Sequence, residues 1–153
     1  MKKLPDDWPR IAPAVFYDDA STAIDWLCQA FGFEVRLRID GEGGRVEHSE
    51  LELAEGLIMV GSVGGSSAPA HFEACRSPRS LGGANTQSLC LYVDDVDEQF
   101  ERAREAGAKV LVAPKTDDYG EEWGSNRTCL VEDPEGHRWW LMHRERDPRP
   151  GGG

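Results

Sequence analysis

Two stretches of this chain, 80 residues apart, are variants of one another. Glu132-Asp133-Pro134-Glu135-Gly136 leads into the run Arg138-Trp139-Trp140-Leu141-Met142, and Glu52-Leu53-Ala54-Glu55-Gly56 leads into Leu57-Ile58-Met59-Val60. A second match lies at an offset of 76, where Val15-Phe16-Tyr17-Asp18-Asp19 parallels Leu91-Tyr92-Val93-Asp94-Asp95. Each Asp-Asp pair opens a helical pattern that closes on a glycine, Gly32 in one copy and Gly107 in the other. Two copies make a duplicated half-domain and not a solenoid, which needs at least three repeats to bury its faces.

Local signals then order the elements. Residues 1–9 are polar, carry Pro5 and Pro9, and read as a lead-in. In the first copy, residues 11–17 read as a strand. Asp19 or Ser21 caps a helix whose inward face is Ile24, Leu27, Ala30 and Phe31. Strands over 33–39, 46–53 and 57–62 follow, the last two joined about Ala54-Glu55-Gly56. Residues 63–85, rich in Gly, Ser, Pro and Ala, read as a linker long enough to be mobile or functional; His71, Phe72 and Cys75 lie within it. The second copy has strands over 86–93 and 109–113, with a helix between them capped by Asp95. An acidic, aromatic segment spans 114–124, and strands follow over 126–132 and 137–143. In the turn before the last strand, Pro134 presets φ and Gly136 supplies the position where φ is positive. The units are therefore expected over 10–62 and 86–143, with a disordered tail over 144–153.

Strand alternation divides each sheet into two faces. Leu89, Leu91 and Val93 are expected to pack on the helix, leaving Ser88, Cys90 and Tyr92 on the other side. The same split sends Trp139 and Leu141 to the helix, with Arg138, Trp140 and Met142 opposite. It also turns Leu51 and Leu53 inward and His48, Glu50 and Glu52 away. A mixed polar and aromatic face of this kind is how small-molecule clefts are lined. The plain alternative is that the face packs on another face or on a second subunit.

The balance of 28 acidic against 17 basic residues, net −11, argues against nucleic acid or an anionic membrane as partner. No apolar run approaches the length of a membrane span, so a cytoplasmic location is expected. Cys28, Cys75, Cys90 and Cys129 form no Cys-x-x-Cys pair and read as buried or idle thiols. No nucleophile elbow, phosphate loop or nucleotide fingerprint is present.

The paired units, with Ala30-Phe31-Gly32, His48-Ser49-Glu50-Leu51, Tyr92-Val93-Asp94-Asp95 and Asp133-Pro134-Glu135-Gly136-His137, resemble the vicinal oxygen chelate superfamily of glyoxalases, bleomycin resistance proteins and dioxygenases. The resemblance implies an α+β fold. In it, two tandem βαβββ units form a curved, half-barrel mixed sheet with helices on its outer face. It also implies a homodimer. Metal enzymes of the superfamily take ligands from four inward strand positions, which by motif fall here at Ala12, Met59 (or Val60), Ser88 and Trp140. None is an imidazole or carboxylate, the donors that divalent metals need. No metal and no other cofactor is therefore expected. A substitute site would have to draw on His48, Glu50, His71, His137 and His143.

The function that follows is a metal-independent binding protein of the bleomycin resistance type, sequestering a cationic or aromatic small molecule. Its ligand would meet Phe16, His48, Glu50, Met59, Ser88, Tyr92, Tyr119, Trp123 and Trp140, with Asp117, Glu121 and Glu122 attracting positive charge. Two other readings stay open: a metal-dependent lyase, isomerase or dioxygenase with non-standard ligands, and an interaction module that has lost its ligand.

Overall fold

The computed structural model describes residues 1–64 and 70–149, the side chain of His71 excepted. The elements run β1 (Ala14–Tyr17), α1 (Ala20–Phe31), β2 (Glu34–Asp40), β3 (Val46–Leu53), β4 (Gly56–Ser62), β5 (Leu89–Tyr92), α2 (Val96–Glu105), β6 (Lys109–Asp118), β7 (Ser125–Glu132) and β8 (Arg138–Arg146). Contacts divide the chain into two compact units, Met1–Gly83 and Ala84–Gly153. Each is βαβββ with its own four-stranded mixed sheet, ordered β1-β4-β3-β2 in the first unit and β5-β8-β7-β6 in the second. In both, the outer pair β1–β4 or β5–β8 is parallel and the other pairings are antiparallel. The fold is α+β, as the resemblance implied.

Both helices start where the Asp-Asp pairs place them. The Asp19 carboxylate accepts the Thr22 N–H at 3.0 Å, and Asp95 accepts the N–H groups of Asp97 and Glu98 at 2.9 and 3.1 Å. These bonds satisfy donors that a helix start leaves open. Gly32, at φ 83°, closes α1 in the left-handed conformation that glycine adopts without a Cβ penalty. The buried stripe of α1 is Ala20, Ala23, Ile24, Trp26, Leu27, Ala30 and Phe31. Trp26 meets Phe31 edge-on at 5.3 Å, and each large side chain so buried stabilises by roughly 1.5–3 kcal/mol.

The backbone and hydroxyl of Thr22 hold the Asp19 carboxyl below its ordinary 3.8, with a smaller contribution from Arg79. A lowered folded-state value means that this stabilisation is full above the ordinary value and is lost as pH falls through the lowered one. Asp19→Ala is therefore expected to cost about 1 kcal/mol at neutral pH. Urea denaturation of both proteins should show the gap closing in acid. A gap that stayed constant into strong acid would assign the loss to something other than the carboxylate.

Several boundaries differ from the sequence expectation, each for a tertiary reason. β5 begins at Leu89 and not at 86, because its partner β8 begins at Arg138 and Leu89 is already opposite Trp139. β6 continues past Pro114 to Asp118, with register shifts about the proline. It is an edge strand, where a missing N–H is tolerated. β8 extends to Arg146 because β7 is long enough to pair Ser125 with it, so the tail expected to start at 144 is partly strand; Pro150 onward lies outside the described residues. The segment expected as linker is partly built into the first unit. Ala70–Phe72 and Pro78–Leu81 are short 3-10 turns, and Ser77 and Pro78 are buried. The duplicated turns also diverge. Gly136 carries the positive φ (96°) in the second copy, but Ala54 (49°) carries it in the first. Its counterpart in the second copy, Pro134, has φ locked negative, so one frame makes two different turns.

Among the described residues, no helix is long and apolar enough to cross a membrane.

Candidate functional site

The alternation expected for β3, β5 and β8 holds, and it leaves one helix-free face in each unit. In the first, Val15, Tyr17, Leu51, Ile58 and Val60 are buried. On the other face, the pairings Glu50 opposite Met59 and Phe16 opposite Gly61 bring Phe16, His48, Glu50 and Met59 together. Phe72, from the segment expected as linker, stacks on Phe16 with ring centroids 5.6 Å apart and planes tilted by 49°.

Glu50 is the most constrained group on this face, only 8% exposed. One oxygen lies 3.3 Å from His48 Nε2 and the other 3.3 Å from Arg36 Nε. Arg36 in turn binds the Asp7 carboxylate at 3.0 Å and the Asp7 carbonyl, and lies over the Trp8 ring at 5.5 Å. The amino-terminal segment is thereby fastened to the sheet, which its polar composition did not foretell. Glu50 is thus neutralised internally, so it adds little to the field that would draw a cation.

In the second unit, Trp139 and Leu141 are fully buried toward α2. His143 accepts the Val96 N–H at 2.9 Å at the start of that helix, as its helix-side position required. The opposite face carries Cys90 and Tyr92 beside Trp140 and Met142, and these in turn lie opposite Leu130 and Thr128. Tyr92 is 63% exposed, and its hydroxyl accepts the Arg144 N–H at 3.0 Å. Ser88 is exposed just ahead of β5. Asn126 lies on this face too, and its Oδ1 is buried without a hydrogen-bond partner among the described residues. A buried acceptor left open costs on the order of 1–3 kcal/mol, so it is a position where a ligand donor would be gained. The sequence placed Asn126 at the start of a strand, and nothing there marked its side chain as a site residue. On the helix side, burial pushes the Cys129 thiol up to about 11, so it stays protonated and inert at neutral pH.

Tyr119 and Trp123 are not brought to Trp140 within this unit. They sit at the tip of the β6–β7 hairpin, 52% and 70% exposed. The tip meets β8 at Arg146, six residues beyond Trp140, or roughly 20 Å along a strand. Asp117, expected to attract a cation, is paired with Lys115 at 2.8 Å, and Asp118 is bound by Arg146.

The profile of the Glyoxalase/Bleomycin resistance protein/Dioxygenase superfamily matches residues 10–141. The chain belongs to this superfamily. An uncharacterised protein of Mycobacterium bovis is 33% identical over 91% of this chain and 86% of its own length. The crystal structure of TioX from Micromonospora sp. ML1 matches with a TM-score of 0.64 and 30% identity, over 87% of this chain and 97% of TioX. The fosfomycin resistance protein FosX of Listeria monocytogenes shares the fold at 14% identity and a TM-score of 0.60, over 88% of this chain and 92% of its own.

The metal that many members of the superfamily use does not fit the described side chains. Among the described residues, no group of three His, Cys, Asp or Glu side chains converges. Met59 and Trp140, at two of the positions where the resemblance led ligands to be expected, lie on the helix-free faces and offer a thioether and an indole. Neither is a ligand for a divalent metal that prefers imidazole or carboxylate. Among the described side chains, His48 and Glu50 could supply two donors, and recruiting Glu50 would strip Arg36 of its buried partner. The side chain of His71, the other donor named for such a site in this unit, lies outside the described residues.

Proposed function

We propose that this protein binds a planar aromatic small molecule without a metal and holds it without converting it. The donor set carries the reading. Where the resemblance puts the ligands of the superfamily's metal enzymes, this chain has Ala12, Met59 (or Val60), Ser88 and Trp140. Phe16, Phe72, Tyr92 and Trp140 give the helix-free faces stacking surface, and Asn126 offers an open acceptor. Among the described side chains, the enzyme alternative would rest on His48 and Glu50. A homodimer and a cytoplasmic location belong to the same proposal. The dimer is supported by edge strand β2, where Val35, Leu37 and Ile39 are 45%, 40% and 50% exposed.

The purified protein is expected to sediment as a dimer and to carry no stoichiometric metal. Titration with Zn, Mn, Ni or Fe should leave its tryptophan fluorescence and melting temperature unchanged. An aromatic ligand found by quenching should lose about tenfold in affinity in Trp140→Ala, the order of one stacking contact with its buried area. Tight metal binding that disappears in His48→Ala would overturn the metal-free reading.

A further inference from the structure

The fastened amino-terminal segment encloses a groove against the β3–β4 end of the first sheet, with a volume of about 490 Å³. Trp8, Arg36, Glu52, Glu55 and Leu57 are among its lining residues. The volume falls within the range of small-molecule sites, roughly 300–1,000 Å³. Its wall is preorganised, because Arg36 reaches across 29 residues to Asp7 while covering the Trp8 ring. A ligand entering here would not have to order the segment, which removes a large part of the usual cost of binding.

The charge of the lining is one-sided. Asp6, Asp7, Glu52 and Glu55 face a single cation, Arg36, whose charge is already met by Asp7 and Glu50. Asp6 pairs with Lys3 at the surface. Glu52 and Glu55 therefore leave the groove with net negative charge beside an indole and the buried Leu57. Arg36 already makes one cation–π contact with the Trp8 ring at 5.5 Å, and a ligand would meet the part of the indole that lines the groove.

We infer that this groove is a seat for an organic cation. Its flat apolar body would lie against Trp8 and Leu57, and its charged end would turn to Glu52 and Glu55. The inference deepens the small-molecule reading above, since Glu50, Glu52 and Leu57 share the helix-free face of the first sheet. Opposite charge near an aromatic face raises both encounter rate and affinity, and the charge part weakens with salt.

The test is a fluorescence titration with proflavine, a planar cation. Acridine serves as the neutral counterpart and 9-anthracenecarboxylate as the anionic one. Proflavine is expected to saturate one site about tenfold more tightly than acridine, with the difference shrinking at high salt. Trp8→Ala, and separately Glu52→Gln with Glu55→Gln, should each weaken it by about tenfold. Glu105→Gln, which removes one carboxylate from α2, should leave it unchanged. Equal binding by the variants, equal binding of all three dyes, or no saturation would each overturn the groove assignment. Metal retention abolished by His48→Ala would sink only the metal-free reading and leave the dye result standing.

Discussion

Replacing Asp133 with alanine is expected to destabilise the protein by about 3–5 kcal/mol. Asp133 is 4% exposed, and its carboxylate accepts hydrogen bonds from Glu135, His137 and Trp139. One oxygen takes the N–H groups of Glu135 and His137, both at 3.0 Å, and the other takes the Trp139 indole N–H at 3.1 Å. Bonds to an ionised acceptor contribute about 1.5–3 kcal/mol each but are not additive. Alanine would leave all three donors open in a buried turn. A chain of this size should then melt roughly 6–20 °C lower. Trp139→Phe, which keeps most of the packing and opens only one bond on Asp133, should cost about 1–2 kcal/mol. If thermal or urea unfolding placed Asp133→Ala within about 1 kcal/mol of wild type, the turn would not be held by this carboxylate.

The second large effect concerns Arg36 and Glu50. Their side chains are 25% and 11% exposed and 3.3 Å apart. Arg36→Leu would strand a nearly buried carboxylate and should cost about 2–3 kcal/mol, somewhat below the full penalty because Arg36 is only partly buried. Adding Glu50→Leu should recover most of that loss, since replacing both members of such a pair by apolar residues is often close to neutral. The double-mutant cycle separates this from lost packing. A double variant no more stable than Arg36→Leu would mean that the arginine acts through Asp7 and Trp8 and not through Glu50. The cycle also bears on function, because a Glu50 held this way is poorly placed to become a metal ligand.

Most of the architecture could be read from residues alone because its determinants are local. A cap needs only Asp19 or Asp95 and the next few amides, and both caps form as the sequence suggested. Alternation is a property of a single strand, so Trp139 inward and Trp140 outward follow from adjacency. Gly136 marks its turn for the same reason. The matching frame at Gly56 does not turn the same way, since the left-handed residue there is Ala54. Pro114 misled in a different way: whether a proline ends a strand depends on whether the strand lies at an edge, which is a fact about the sheet.

The sequence by itself therefore determined the duplicated βαβββ units, their caps, and the inward and outward faces of strands such as β3, β5 and β8. Tertiary structure alone decided which distant groups meet on those faces. Arg36 and Arg38 show why. Strict alternation puts them on one side of β2, yet Arg36 reaches Glu50 and Arg38 reaches Ser21 of α1. A register shift between Val35 and Leu37 falls at Arg36 and re-aims it. No local pattern announces that bulge, and none joins Arg36 to Asp7 and Trp8 across nearly thirty residues of chain. A lead-in that read as polar punctuation becomes the wall of a groove because the partners that fix it lie on another strand.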